Sequence, residues 1–448
     1  MDVLFRIRNF PAWMILAVYL PAAIIGVLAF RDSYSVVFLA ILLAFSGLYF
    51  MGFQFFVFLV GRVKFFLGGA KRLSFFDLRA FLVVSVFLYF LVTLCAALTA
   101  DAIPLFIAFS GGTEMEISAA RAGFLSSREG VGSILRYASF VASRSIVPMA
   151  VLYLFVCRHS FRYLFLLVVI LCYSLTLEKV VPVFAMLPLV LFFLLCRRYM
   201  HFLFTVLFMV FLVVLLSWVS YGGLAASHGA NDGGNEVVGS SLKYPDGAII
   251  KGPVGNAERL YLKCVLPSVF MDKNNFDNFD CFESSCAFYI ALLDRVLWVP
   301  YITAYDWLVF QDVGLGGGLT MGRSVSFVHL LFGEPKMQLE KIIYAYQRGP
   351  SPEASGTANT LFLIDAKLAF GWVGVLVYSF LFIFCAASVF SSSSIVLKVA
   401  SINPFLVAVV SPLTATLLSG GLAVFVMLSL LLPSDDVRLS RQVAVSGI

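Results

Sequence analysis

Apolar runs of Phe, Leu, Val and Ile follow one another from Trp13 to Trp218 with few polar interruptions. Each is close to the roughly 20 residues that a helix needs to cross a hydrocarbon core about 30 Å thick. From Ser220 to Ser355 the chain turns to Gly, Asn, Asp, Pro and Lys, and from Leu361 to Pro433 the apolar character returns. The pattern predicts an all-α polytopic membrane protein. Helices are expected over roughly 12–30, 36–60, 80–100, 138–156, 163–177, 180–196, 201–219, 361–388, 400–418 and 420–434, about ten in all. This divides the chain into an N-terminal bundle (1–219), a large loop between helices 7 and 8 (220–360), and C-terminal helices with a tail (361–448). The run 286–310 is long enough to span but carries Asp294, Arg295, Pro300 and Asp306. It is expected as amphipathic helix lying on, or dipping into, the surface on the loop side.

Composition agrees with this reading: 61% of residues are hydrophobic and 12% charged, against a globular norm of about 25% charged. Disordered, coiled-coil and nucleic-acid-binding classes are excluded. No small-residue cleavage site follows the first apolar run, which continues into Arg31-Asp32-Ser33-Tyr34, so that run is expected to stay as a helix. Compact clusters (Arg62 and Lys64, Arg158 and Arg162, Arg197 and Arg198, Arg438 and Arg441) place both ends in the cytoplasm and the long loop outside. Cys95, Cys157, Cys172, Cys196 and Cys385 fall in or beside spans and read as buried apolar fillers. Cys264, Cys281 and Cys286 share the outer loop, where an odd count implies one disulfide and one free thiol, with Cys281–Cys286 and Cys264–Cys281 both open.

Candidate chemistry sits where charge meets apolar surroundings. Thr113 and Glu116 form a capping box that opens a helix expected to run to Gly130. Arg121 and Arg128 lie on one face of it, and Arg136 and Arg144 follow into the next span. Arginine offers a planar fork suited to phosphate oxygens. Glu178 and Lys179 occupy a tight hairpin between two spans, and Arg295 lies between apolar neighbours in the loop. Asp306, His329 and Asp365 are the candidate acids and bases. The glycines of Asp312–Gly318 match neither nucleotide fingerprint, and the four histidines show no metal-ligand spacing.

At these residues the chain resembles the bacterial O-antigen, or oligosaccharide repeat-unit, polymerases. The resemblance lies in the order of parts, in Arg295-Val-Leu-Trp-Val-Pro300, and in the return to the membrane through Ala358-Asn359, Asp365 and Phe370-Gly371-Trp372-Val373-Gly374. That family's spacing of Arg followed after ten residues by Gly occurs once, at Arg121 and Gly132; the arginines of the large loop do not repeat it. The resemblance implies an inner-membrane glycosyltransferase with no cofactor and no metal. It would join undecaprenyl-pyrophosphate-linked oligosaccharides on the periplasmic side, in contact with membrane lipid, a chain-length regulator and a flippase. Arg121, Arg128, Arg136, Arg144, Lys179 and Arg295 would meet the pyrophosphate; Asp365, His329 or Asp306 would serve as catalytic base. The O-antigen ligases, which share this anatomy, and transporters or flippases of lipid-linked sugar are the competing classes.

Thiol counting on denatured, unreduced protein is expected to find six of the eight cysteines free. A disulfide in the loop would stabilise it by about 2–4 kcal/mol. Eight free thiols would remove it.

Overall fold

The computed structural model describes residues 8–69, 78–100, 102–112, 114–121, 123–124, 131–178, 180–222, 242–243, 249–250, 293–325, 337–348 and 357–431. Arg128, Lys179, His329 and the three loop cysteines lie outside them. The expected helix 113–130 is described over Glu114–Arg121, and its Thr113 cap also falls outside.

Among the described residues helices predominate, and the one strand pairing is antiparallel, Leu242–Lys243 with Ile249–Ile250. Among the described residues six helices are long and apolar enough to cross a membrane: Phe10–Phe30 (α1), Ser33–Phe66 within Ser33–Gly69 (α2), Leu78–Thr99 (α3), Arg136–Val156, Tyr199–Val219 within Tyr199–Gly222 (α10) and Phe362–Phe390 (α13), the last sharply kinked at Phe370–Gly371. Short helices Pro104–Phe109 (α4) and Glu114–Arg121 (α5) cap one end of the bundle. The fourth long helix runs as Val131–Val141 (α6), a π turn at Ala142–Ile146, and Val147–Val156 (α7). Arg162–Ser174 (α8) and Val181–Leu195 (α9) are shorter apolar helices. Within the 220–360 region lie a π turn at Asp294–Trp298, Val299–Val313 (α11) and Leu339–Arg348 (α12). Residues 395–431 form Ile395–Ala400 (α14), Ile402–Val409 (α15), Leu413–Leu417 (α16) and Leu422–Leu431 (α17). We call the end of the bundle at which α10 stops, at Gly222, the loop end. Ala108, Ile117, Leu177, Leu216 and Val219 form an apolar cluster there, so the α8–α9 turn sits under the cap helices.

Two expected spans are corrected. The run 361–388 is not one helix. At Gly371 the backbone adopts φ 65° and ψ −150°, a region essentially confined to glycine. The chain folds back on itself there. In a straight helix Phe362 and Phe382 would stand about 30 Å apart, yet their rings stack with centroids 4.8 Å apart. Gly374 permits the crossing, because a Cβ there would fall 2.2 Å from the Ala366 carbonyl oxygen. Residues 357–361 therefore enter the bundle extended, 362–369 return as a half-helix, and 372–390 form a helix still long enough to cross. The expected span 400–418 is likewise broken, into α14, α15 and α16, with Pro412 in the second gap.

The expected amphipathic run dips into the bundle rather than lying on it. Trp298, Tyr301 and Trp307 are wholly buried, and α11 packs on α1, α2 and α13. Gly26 of α1 makes room: a Cβ there would lie 1.9 Å from the Tyr301 hydroxyl oxygen. The cysteine expectation is corrected too. Cys385 is buried, but Cys95 and Cys157 are exposed and Cys172 and Cys196 half-buried, because the outer faces of a membrane helix are as apolar as its core.

Prolines inside helices leave carbonyls without donors. Pro148 and Pro188 lie four residues after Arg144 and Phe184, and the Nδ2 of buried Asn403 donates to both carbonyls, at 3.1 and 2.7 Å. Tyr173 donates to the Ser143 carbonyl at 2.5 Å. Asn403→Leu is expected to lower stability by about 1–3 kcal/mol, two membrane-interior hydrogen bonds. In a Pro148→Ala background the restored N–H should make that loss smaller. Thermal unfolding of the four proteins checks this; equal losses in both backgrounds would refute the pairing.

Candidate functional site

Two polar groups occupy the loop end. The first is built by α3, α6, α8 and the α8–α9 turn. A cavity of about 30 Å³ lies there, lined by Tyr89, Thr93, Ser139, Ser143, Thr176 and Glu178 among others. That is room for a water or one phosphate oxygen. The helix carrying Ser139 and Ser143 passes into the π turn Ala142–Ile146, a feature frequent at functional sites, and the turn holds Arg144. The Arg144 guanidinium stacks on Phe140, a wall of the cavity, with its carbon 5.1 Å from the ring centre. Its Nε is buried with no hydrogen-bond partner among the described residues. Glu178 lies close enough for its charge to act on Arg144.

Arg121 reaches the same turn from α5. Its Nη2 donates to the Leu177 carbonyl at 3.1 Å, and its Nε too is buried without a partner among the described residues. Leu177 holds a left-handed conformation, φ 52°, which turns that carbonyl toward α5. Arg136 is half-buried against the neighbouring Tyr137 ring, 5.3 Å away. The structure thus brings Arg121 to the Leu177 carbonyl and Arg144 within reach of the charge of the next residue, Glu178, with Arg136 about two turns along the same helix as Arg144.

The second group joins α11 to α1, α2, α12 and α13. Asp32 accepts from Tyr305 and from the Ser35 backbone N–H (2.9 Å). Tyr34 donates to Asp312 (2.8 Å) and Tyr301 to Ser35 (3.1 Å). Burial holds the Tyr301 phenol above its ordinary pKa, with the Ser35 hydrogen bond opposing, so it stays a neutral donor. Asp306 and Asp365 are both buried. Asp306 accepts from Gln347 at 2.7 Å, and Asp365 from Ser324 at 3.0 Å. Each ties a loop segment to the bundle. Arg295 lies on the exposed side of the second π turn, whose neighbours are α1 and α11. No described hydrogen bond links the two groups.

Sequence reasoning named the charges but missed the hydroxyls of Tyr89, Thr93, Ser139, Ser143 and Tyr173. Their signal is small: isolated polar residues inside apolar spans. Compared with protein-family models, curated proteins and solved structures, the chain matches none.

A buried cation without a hydrogen-bonded carboxylate costs stability, and replacing it by an apolar side chain of similar length removes that cost. Arg144→Met is therefore expected to unfold at the same temperature as the native protein or higher, by up to about 1–2 kcal/mol. A clear loss of stability in thermal unfolding would make Arg144 a structural residue.

Proposed function

We propose that this chain is a bacterial inner-membrane glycosyltransferase that polymerises undecaprenyl-pyrophosphate-linked oligosaccharide repeat units at the loop end. In this reading Arg162–Ser174, Val181–Leu195, the α14–α15 stretch Ile395–Val409 and Leu422–Leu431 complete ten crossings, and the long loop faces the periplasm. The observation that carries it is Arg144: a guanidinium inside a helical bundle, on a π turn, stacked on a wall of the hydroxyl-lined cavity and with its Nε unpartnered among the described residues. Ionisable groups at such depth are costly and generally functional. Arg121, aimed at the same turn, supplies a second cation.

The chemistry asks for little more. An acceptor hydroxyl attacks the anomeric carbon of the donor; the bond from that carbon to the pyrophosphate oxygen breaks and a glycosidic bond forms. Negative charge grows on the departing pyrophosphate, where Arg144 and Arg121 stabilise it. The hydroxyl proton passes to a carboxylate, and Glu178 is the one positioned beside the arginines. Asp306 and Asp365 then position the loop segments rather than react. Partners follow from the reaction: lipid-linked oligosaccharide, surrounding lipid, a flippase that delivers the substrate and a chain-length regulator. Transfer of finished glycan to lipid A-core by a ligase needs the same groups.

A transporter of lipid-linked sugar is the second reading, favoured by the half-helix 362–369, whose N-terminus lies inside the bundle as in discontinuous transporter helices. Deletion separates the classes. Loss of a polymerase leaves surface glycan one repeat long; loss of a ligase leaves bare core with lipid-linked polymer; loss of a flippase leaves no lipid-linked repeat outside. Arg144→Ala and Arg121→Ala are each expected to slow chain extension by about 10²-fold without lowering abundance, with lysine rescuing only in part. Full-length glycan from both alanine variants would overturn the assignment.

A further inference from the structure

At the end opposite the loop, α7, α8, α9 and α10 enclose a groove of about 470 Å³. This is within the range of small-molecule sites. Ile170, Leu189, Phe193, Phe204 and Phe208 are among its walls. It opens on the face where Met200 is 79% and Phe204 72% exposed, the face a bilayer covers. An apolar groove there will hold an apolar chain.

Its mouth is cationic. The two turns that close it are built alike. In the first, Arg158 is left-handed (φ 52°) and the N–H groups of Arg158 and His159 return to the Phe155 and Leu154 carbonyls at 3.2 and 3.0 Å. In the second, Arg197 is left-handed (φ 54°), and Arg197 and Arg198 return to Leu194 and Phe193 at 3.1 and 2.9 Å. Arg162 lies over two groove walls, 5.6 Å from the Phe155 ring centre and 4.8 Å from that of Tyr163. His201 is itself a wall. The segments Cys157–Arg162 and Cys196–His201 contain no acidic residue. Neither segment supplies a carboxylate to Arg162, Arg197 or Arg198.

We propose that the groove is a binding site for one anionic diacyl phospholipid, one acyl chain lying along it and the headgroup phosphate on Arg162, Arg197 and Arg198. Basic pockets between membrane helices take anionic headgroups in this way. The proposal rests on this groove alone and is independent of the glycosyltransferase reading.

Native mass spectrometry of the full chain, released from vesicles of equal parts phosphatidylcholine and phosphatidylglycerol, tests it. One phosphatidylglycerol per chain is expected to remain. Its enrichment over phosphatidylcholine should fall about fivefold with each of Arg162→Gln, Arg197→Gln and Arg198→Gln. Thr205→Trp, which fills the groove, should lose the lipid with every charge intact. If that variant unfolds early in phosphatidylcholine, Leu167→Trp takes its place. Equal retention of the two lipids, or enrichment unchanged in the arginine variants, would overturn the proposal. So would displacement by polyprenyl phosphate at equal concentration, which would give the groove to a prenyl chain.

Discussion

A polar backbone group in a membrane interior has no water to fall back on, so each one released from a helix must find a partner inside the protein. Much of this structure follows from that constraint. The chain breaks or weakens its helices at Pro148, Pro188, Gly371 and 410–412, and each place has a dedicated donor. Asn403 serves the carbonyls opposite both prolines. Tyr19 donates to Val409 at 2.7 Å where α15 ends, and Ser145 to Gly420 at 2.6 Å before α17 begins. The Thr320 N–H reaches Leu368 at 2.9 Å, at the end of the half-helix. The donors come from segments far away in sequence, so local irregularity becomes a long-range fastener.

That is also why hydropathy reads part of this fold and not the rest. The spans expected at 12–30, 80–100 and 201–219 match Phe10–Phe30, Leu78–Thr99 and Tyr199–Gly222 to within a few residues, because solvent transfer alone decides them. Gly371 changes direction through φ rather than polarity, and a window average over Leu361–Phe390 does not register it. Asn403 is one polar residue in an apolar run; its meaning depends on two prolines more than two hundred positions upstream. The burial of α11 was hidden for the opposite reason. Its aspartates lower the hydropathy of the run, while Gln347 and Tyr34, which donate to Asp306 and Asp312, come from other elements.

Of the candidate site, the residue types were legible and their grouping was not. Arg121 and Arg144 looked alike as interfacial cations, as did Arg295. Tertiary structure separates them: Arg121 bonds to Leu177 on the α8–α9 turn, Arg144 feels the charge of Glu178 on that turn, and Arg295 faces outward from a different π turn. Asp306 and Asp365, attractive as bases in sequence, are occupied as acceptors for Gln347 and Ser324. A buried acid that holds two segments together is tied into the fold, whereas a buried arginine whose Nε has no partner among the described residues has capacity left. The difference rests on hydrogen-bond satisfaction, which a single sequence does not encode.

The π turn that presents Arg144 is held from the C-terminal segment. Asn403 grips the Arg144 carbonyl, Ser145 is bonded to Gly420, and Gly421 sits so close that a Cβ there would fall 2.3 Å from the Ser145 hydroxyl. Tyr173 fastens the preceding carbonyl from α8. The guanidinium is thus aimed by hydrogen bonds to the Ser143 and Arg144 carbonyls and from the Ser145 hydroxyl, and its own side-chain nitrogens need not be spent on anchoring. A catalytic or binding cation gains from such an arrangement, because the geometry is set before the ligand arrives. It also gives the broken helices 395–431 a role that an unbroken span would not fill. Only a segment that stops, turns and exposes its carbonyls and a glycine at mid-bundle can receive the flank of a π turn. The irregular backbone and the buried charge are therefore two parts of one construction.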